Sequence, residues 1–220
     1  MLNAPRENPA DSFPWPIIGV VGGVGSGKST VAGLFGDLGC KLIVSDAVAH
    51  DALRDEAIKQ ALVRQCGADI LGPDGQIVRS RLASMVFSDA ARLGELNDLI
   101  HPYVARRRSQ MLAAFAVDKG IPAVVFDSPL LAETGLFKSC TAVVFVYCGE
   151  EDRFSRVQKN KGWSAADWQK RESAQWSLDK KLEISHYVIS NEADLPHAAT
   201  QVNWVLACIT RDFKRNQGPG

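Results

Sequence analysis

The sequence predicts a three-layer α/β fold in which helices cover both faces of a five-stranded parallel sheet. Two observations support this prediction. Short runs of consecutive apolar residues alternate with longer stretches of helical periodicity, and the apolar runs show no polar alternation, which is typical of strands buried on both faces. The runs that we interpret as strands are 17–21, 42–44, 123–126, 142–147 and 187–189.

The segments between these strands have helical patterns of very different lengths. A first helix is expected from Ser29, ending near Gly39, where glycine favours helix termination. A long segment between the second and third strands is mostly helical, and two further segments are strongly charged. The later helices are predicted over 46–66, 79–87, 89–99, 103–118, 150–160, 164–183 and 195–213, with breaks at the Gly72–Gly75 turn and at Pro102. We expect flexible tails at 1–16 and 214–220.

Composition and charge exclude several classes of protein. The chain has 220 residues, 46% of them hydrophobic, with 25 Lys+Arg against 25 Asp+Glu. Zero formal net charge argues against a protein that mainly coats nucleic acid or an anionic membrane. Five cysteines without CxxC spacing predict free thiols in a reducing compartment, and neither a membrane helix nor a signal peptide is indicated. We therefore expect a soluble cytoplasmic protein without nucleic-acid or membrane partners.

The strongest motif is a phosphate-binding loop. Residues 22–29 have the sequence Gly-Gly-Val-Gly-Ser-Gly-Lys-Ser, which fits G-x-x-x-x-G-K-[ST] and lies between a predicted strand and a predicted helix. Glycines let backbone N–H groups point at phosphate oxygens, and the helix N-terminus adds positive potential. Lys28 is expected to contact the β- and γ-phosphates, and the Ser29 hydroxyl to ligate Mg²⁺. The motif predicts that the chain binds a nucleoside triphosphate.

Other polar residues suggest what kind of triphosphate-binding protein this is. The nearest match to a guanine-reading Asn-Lys-x-Asp motif begins at Asn160 but lacks the aspartate, which argues against a GTPase. Asp127 follows an apolar strand and is a candidate Mg²⁺ ligand, or else a simple cap. Asp46 follows the second strand and is either a general base or metal ligand, or the N-cap of a helix that begins at Ala47. The spacing leaves both alternatives open.

The charged segment that follows the fourth strand is a candidate lid. Arg153 and Arg156 are three residues apart and therefore share a helix face. Such a face can close over phosphates and offset charge in the transition state, or it can be a solvated, ion-paired surface. The pattern does not decide between these interpretations.

In their order along the chain, these features resemble the dephospho-CoA kinase family. The resemblance extends from about residue 17 to residue 191. It rests on the phosphate loop through Thr30, Asp46 to His50, Asp74-Gly75 with Arg79 and Leu82, Phe87, His101-Pro102, Pro129-Leu130-Leu131-Ala132-Glu133, Gln175 and Asn191. It implies a P-loop kinase that uses ATP and Mg²⁺ to phosphorylate the ribose 3′-hydroxyl of dephospho-CoA, which is the last step of coenzyme A synthesis.

The resemblance also implies that residues 17–213 comprise three parts with different functions. A nucleotide core comprises about 17–46, 119–148 and 184–213, a helical acceptor domain about 47–118, and a mobile lid about 149–183. The implied catalytic residues are Asp46 as general base, Lys28 and Arg156. The resemblance implies that ATP contacts Gly23, Gly25, Ser26, Gly27, Lys28, Ser29, Thr30 and Asn191. It implies that the acceptor contacts Arg79, His101, Pro129, Leu130 and Glu133. The implied Mg²⁺ ligands are Ser29 and Asp127. We expect a monomer or weak homo-oligomer.

Three positions depart from the pattern of the family. Val44 stands where the family usually has the first aspartate of Asp-x-Asp, Asn160 where the lid usually has a second arginine, and Ser185-His186 where the family has Ala-Asp. These departures keep two alternatives open. One is a P-loop kinase for another small hydroxyl acceptor, and the other is a nucleotide-binding relative without catalytic activity.

Overall fold

A computed structural model describes residues 12–86 and 90–217; Phe87, which contributes to the family resemblance, lies outside them. Within these residues the sheet has five strands, in the order β2-β3-β1-β4-β5. Strand β1 pairs in parallel with both β3 and β4, and β4 pairs in parallel with β5. The strands are β1 (Ile17–Gly22), β2 (Lys41–Val44), β3 (Val124–Asp127), β4 (Ala142–Tyr147) and β5 (Tyr187–Ser190). The predicted α/β fold class is confirmed.

Helices α1 (Lys28–Asp37) and α9 (Leu195–Asn216) contribute apolar side chains to the core of this sheet. Every residue of β1 is buried, as expected for a central strand of a parallel sheet. Phe35 from α1 and Ile209 from α9 join strand residues such as Val144 in one cluster. Each such side chain contributes about 1.5–3 kcal/mol on burial, so this cluster is what holds the phosphate-loop strand in place.

Residues near both ends of the described chain pack against the sheet unit. Helix α9 continues to Asn216, three residues past the expected end, because Phe213 in its last turns is buried. Trp15 is also buried and stacks on Phe13, so the predicted tail is anchored before β1 begins. The expectations for residues 1–11 and 218–220 lie outside the described residues.

Compact packing divides the chain into two units. The first comprises the residues up to Ile43 together with those from Phe115 on, and the second is Val44–Ala114. The second unit contains most of α5 together with α2, α3 and α4, around a core that includes Ala52, Leu62, Ile70, Leu82 and Val86. These helices are α2 (Ser45–Ala52), α3 (Glu56–Cys66), α4 (Arg79–Val86) and α5 (Ala90–Phe115).

Pro102 does not end a helix, and the predicted break there is wrong. It lies inside α5, which is continuous over 26 residues. A proline removes one backbone hydrogen bond and crowds the preceding turn, so a helix continues through it only where packing compensates. Leu99 and Tyr103 on either side of Pro102 pack against the same buried cluster, which supplies that compensation.

The charged segment forms three helices rather than the two predicted. They are α6 (Glu150–Lys161), α7 (Ala165–Ser173) and α8 (Leu178–Glu183). The predicted helix over 164–183 is interrupted because Ser177 acts as a new N-cap, its side chain accepting a hydrogen bond from the Lys180 N–H. Ser164 caps α7 in the same way.

The described helices also bear on membrane insertion. Across residues 12–86 and 90–217, no helix combines the length and the apolar character that crossing a bilayer requires.

Candidate active site

The phosphate loop has the geometry that its motif predicts. Residues 23–27 leave the end of β1 and lead directly into α1. Gly25 and Gly27 have φ values of 88° and 89°, in the left-handed region that side chains other than glycine rarely adopt. A Cβ atom at Gly25 would also overlap the Arg153 carbonyl group. A Cβ atom at Gly27 would likewise overlap the Asn191 side chain, so both glycines are required by backbone conformation and by a close approach.

Lys28 begins α1 and lies folded over the loop. Its Nζ donates hydrogen bonds to the carbonyl oxygens of Gly22 at 3.2 Å and Gly23 at 2.8 Å. Burial and, to a smaller extent, the ammonium group of Lys181 together lower the pKa of Lys28 to about 8, whereas the Asp127 carboxylate acts in the opposite direction. Lys28 is thus held among other charges at the position where the motif predicts phosphate binding.

The two predicted Mg²⁺ ligands are oxygen donors of the right type. Ser29 is exposed in the first turn of α1, and Asp127 ends β3, paired in register with Val20 of β1 and only 6% exposed. Mg²⁺ prefers hard oxygen ligands and commonly completes its shell with phosphate and water oxygens. The described residues contain no group of three or more His, Cys, Asp or Glu side chains suited to a metal ion. As hard oxygen donors, the Ser29 hydroxyl and the Asp127 carboxylate fit Mg²⁺.

Arg156 and Asn191 meet beside the phosphate loop. The Arg156 Nη2 donates to the Asn191 carbonyl at 2.7 Å, and the Asn191 side-chain amide donates to the Ser26 carbonyl at 2.8 Å. The same amide lies so close to Gly27 that a Cβ there would collide with it. The arginine is tied to the nucleotide-binding loop rather than lying on a purely solvated face.

A second group of side chains contacts the loop at Val24, and sequence reasoning identified only part of it. Glu172 of α7 accepts a hydrogen bond from the Val24 N–H at 2.8 Å and pairs with Arg153 of α6. Trp168 donates from its indole nitrogen to the Val24 carbonyl at 3.2 Å. Arg153, predicted only as a partner of Arg156 on the helix face, is 3% exposed. No sequence motif signals Glu172, which looks like one more charge on an amphipathic helix.

Glu133 is engaged by a buried lysine that sequence reasoning also missed. Its Oε1 lies 3.2 Å from the Lys181 Nζ and accepts a hydrogen bond from the Trp176 N–H at 2.8 Å. Two other predicted acceptor residues lie in the same turn: Pro129 is half-buried and Leu130 is 41% exposed. An apolar side chain is thus open to solvent next to a charged, buried pair.

Thr30 is exposed in the first turn of α1, and three further predicted site residues belong to the second unit. Asp46 is exposed in the first turn of α2, which begins at Ser45 with Val44 at the N-cap position. The alternative role of Asp46 as an N-cap is therefore wrong, since the helix starts two residues earlier than expected. Arg79 begins α4 and His101 lies within α5, and both side chains are exposed.

The structure gives one of the three departures a role. The Nδ1 of His186 accepts a hydrogen bond from the Val143 N–H at 3.0 Å, at the start of β4. A carboxylate oxygen, as in the aspartate that the family has here, is also an acceptor. Asn160 is exposed near the end of α6, and Val44 has an extended backbone before α2.

Comparison with known proteins finds relatives that match most of the chain. The family model described as dephospho-CoA kinase matches residues 16–197. The dephospho-CoA kinase of Streptomyces avermitilis is 35% identical, with 86% of this chain and 92% of the relative covered. That of Corynebacterium efficiens is 33% identical, with 90% and 98% covered.

Solved structures show the same fold. TT1252 from Thermus thermophilus superimposes with a TM-score of 0.75 at 29% identity, with 88% of this chain and 97% of that one covered. The dephospho-CoA kinase from Campylobacter jejuni superimposes with a TM-score of 0.64 at 20% identity, with 90% and 99% covered. The family model and the relatives, which match over most of the sequence, show that the chain belongs to the dephospho-CoA kinase family.

Proposed function

We propose that this protein transfers the γ-phosphoryl group of ATP to the ribose 3′-hydroxyl of dephospho-CoA, giving coenzyme A and ADP. The observation that carries the proposal is the set of charged groups gathered at the phosphate loop. Lys28 lies on the loop carbonyls within the field of Asp127, and Arg156 is tied through Asn191 to Ser26. Phosphoryl transfer depends mainly on positioning and charge stabilisation, which such a set supplies.

ATP binding is assigned to the loop and the first turn of α1. Glycine-rich loops that precede a helix bind phosphate through backbone N–H groups, and we propose this role for the residues from Gly23 to Thr30. In the structure the Val24 N–H donates to Glu172 and the Ser26 N–H to the Gly23 carbonyl. Ser29 and Asp127 are proposed to hold Mg²⁺, which neutralises charge on the β- and γ-phosphates when it is bound. Asn191 is proposed to keep the loop in shape for the nucleotide.

Asp46 is proposed as the general base that accepts the proton of the attacking 3′-hydroxyl. The support is its match to the family pattern and its exposed position in the first turn of α2. Lys28 and Arg156 then stabilise the negative charge on the transferring phosphoryl group. The proton passes from the hydroxyl to the Asp46 carboxylate as the new P–O bond forms and the bond to ADP breaks.

Acceptor binding is proposed for the residues that match the family pattern in each unit. In the sheet unit these are Pro129, Leu130 and Glu133, and the exposed Leu130 offers an apolar contact. In the helical unit they are Arg79 and His101, whose exposed side chains suit an anionic, polar acceptor. The five free cysteines are consistent with a reducing compartment, and on that basis we propose a cytoplasmic enzyme.

The decisive experiment follows ADP release from Mg²⁺-ATP with dephospho-CoA, adenosine or AMP as separate acceptors. Release that requires dephospho-CoA supports the proposal. Turnover with another acceptor only, or ATP binding without turnover, would instead favour the two alternatives that Val44 and Asn160 leave open.

Two variants complete the experiment. Lys28→Ala is expected to abolish turnover, and Asp46→Asn to slow it by about 10²–10⁴-fold, the usual range for a lost general base. Near-full activity of Asp46→Asn would show that the base is another group, while leaving the overall function intact.

A further inference from the structure

Lys181 of α8 is a buried lysine at the beginning of the phosphate loop. Its side chain is 2% exposed. The ammonium group has three oxygen neighbours: the Gln175 Oε1 at 2.6 Å, the Glu133 Oε1 at 3.2 Å and the Gly22 carbonyl at 3.4 Å. Lysine is almost never buried to this extent unless it is paired, so its position calls for a physical reason.

Glu133 balances the charge, and Gln175 fixes the direction of the ammonium group. A buried ion pair contributes little net stability compared with apolar residues of similar size. A gain in stability therefore does not explain why Lys181, Glu133 and Gln175 lie together at the beginning of the loop. Among the described residues, the ammonium group of Lys181 also donates a hydrogen bond outside this group, to the Gly22 carbonyl.

The Gly22 carbonyl is shared by two lysines. The Lys28 Nζ donates to it at 3.2 Å, and the Lys181 Nζ donates to it at 3.4 Å. When Lys28 turns to the phosphates of ATP, it has to give up this carbonyl and that of Gly23. A buried carbonyl without a donor is unfavourable, and Gly22 is buried. With Lys181 in place, the Gly22 carbonyl keeps a donor throughout.

We propose that Lys181 is a positioning residue that acts through Lys28: it holds the Gly22 carbonyl and thereby frees Lys28 to bind the phosphates of ATP. Glu133 is its counter-ion and Gln175 its orienting partner. This inference rests on the proposed function only in that the loop binds ATP, and it does not depend on which acceptor is phosphorylated.

The test measures the dissociation constant of ATP by titration calorimetry for the full chain. Lys181→Met is expected to weaken ATP binding about tenfold, the effect of losing one hydrogen bond from a charged donor. Lys180→Met is the matched control, because Lys180 is the adjacent, exposed lysine of the same helix. It is expected to change the constant less than about twofold.

A double-mutant cycle separates positioning from general support of the fold. If Lys181 acts through Lys28, adding Lys181→Met to Lys28→Met changes ATP affinity by less than about twofold, because the residue it assists is already absent. An equal loss in both backgrounds would overturn the proposal, as would an unchanged affinity of Lys181→Met. Failure of the wild-type protein to bind ATP would overturn this inference and the proposed function together.

Loss of ATP binding through unfolding is controlled by a second variant. Lys181→Met leaves the Glu133 carboxylate buried without its cation, which is strongly unfavourable. The variant Lys181→Met/Glu133→Gln removes both charges and retains the fold more readily. It is expected to show the same tenfold weakening, and wild-type affinity in a folded double variant would contradict the proposal. If wild-type ATP binding is intact but dephospho-CoA is not phosphorylated, only the proposed acceptor is wrong.

Discussion

Arg156 and Asn191, which lie 35 residues apart in the sequence, are joined by a hydrogen bond of 2.7 Å from the guanidinium group to the backbone carbonyl. The Asn191 side chain continues the connection to the Ser26 carbonyl. The nucleotide loop, the charged helix α6 and the segment after β5 are thereby linked in one hydrogen-bonded chain. The Arg156 guanidinium group is thus held in position without a substrate, as its proposed role in stabilising the transferred phosphoryl group requires.

Replacing Asn191 with aspartate tests this link. A carboxylate cannot donate to the Ser26 carbonyl, and the two oxygens repel each other. Because Asn191 is only 7% exposed, we expect the free energy of unfolding in urea to fall by about 1–3 kcal/mol and the KM for ATP to rise. Asn203→Asp, at an exposed position of α9, is the control. Equal effects of the two substitutions would show that the Ser26 contact is unimportant.

The direction in which Glu172→Gln changes the KM for ATP shows whether this carboxylate competes with phosphate or supports the loop. Its carboxylate occupies the Val24 N–H and pairs with Arg153, so it places negative charge where a phosphate is expected. We expect Glu172→Gln to lower the KM for ATP by a few fold, because repulsion between like charges is removed. Steady-state kinetics would detect this change, with Glu183→Gln on the exposed surface of α8 as the control. A raised KM would mean that Glu172 supports the loop instead of competing with phosphate.

His186 tests whether a departure from the family pattern is compensated. His186→Ala leaves the Val143 N–H without its side-chain acceptor, and we expect it to lower the free energy of unfolding by about 1 kcal/mol. His186→Asp restores an acceptor and is expected to recover most of that loss. Urea unfolding of both variants measures the difference. The aspartate variant being the less stable of the two would exclude the acceptor role.

The thiols provide a prediction about pH. Burial raises the pKa of Cys40 to about 11, so at pH 8 only about one molecule in a thousand carries the reactive thiolate. Because the Cys40 pKa is higher in the folded than in the unfolded protein, its contribution to the free energy of unfolding is fully present below the ordinary thiol pKa of 9.0. This contribution is lost as the pH rises toward 11. With iodoacetamide at pH 8, we expect the half-buried Cys66 to be modified first and Cys40 only after unfolding. Peptide mass spectrometry would show the order.

Local features of the site could be predicted because neighbouring residues produce them. The phosphate loop depends on glycines and on a strand and helix that lie next to it in the chain, so the motif was sufficient to locate it. The break predicted at Pro102 failed for the opposite reason. Helix propensity counts one residue at a time, whereas the packing of Leu99 and Tyr103 against a distant cluster keeps α5 continuous.

Resemblance to the family extended the prediction beyond what the residue patterns decide. It singled out Arg156 and Asn191, and the structure brings both to the loop. It also singled out Glu133, but it gave no indication that Lys181 is the partner of this carboxylate. Glu172 and Lys181 lie in charged helices where most residues are exposed, and nothing in their spacing distinguishes them from their solvated neighbours.

By itself, the sequence determined the fold class, the position of the phosphate loop and the family, because these depend on local patterns and ordered motifs. Only the tertiary structure decided which charges are buried and which oxygen atoms they face. Gly22 is 159 residues from Lys181, and Val24 is 148 residues from Glu172. Contacts over such distances arise when packed helices bring remote residues together, and burial then strengthens the electrostatic interactions that the site uses.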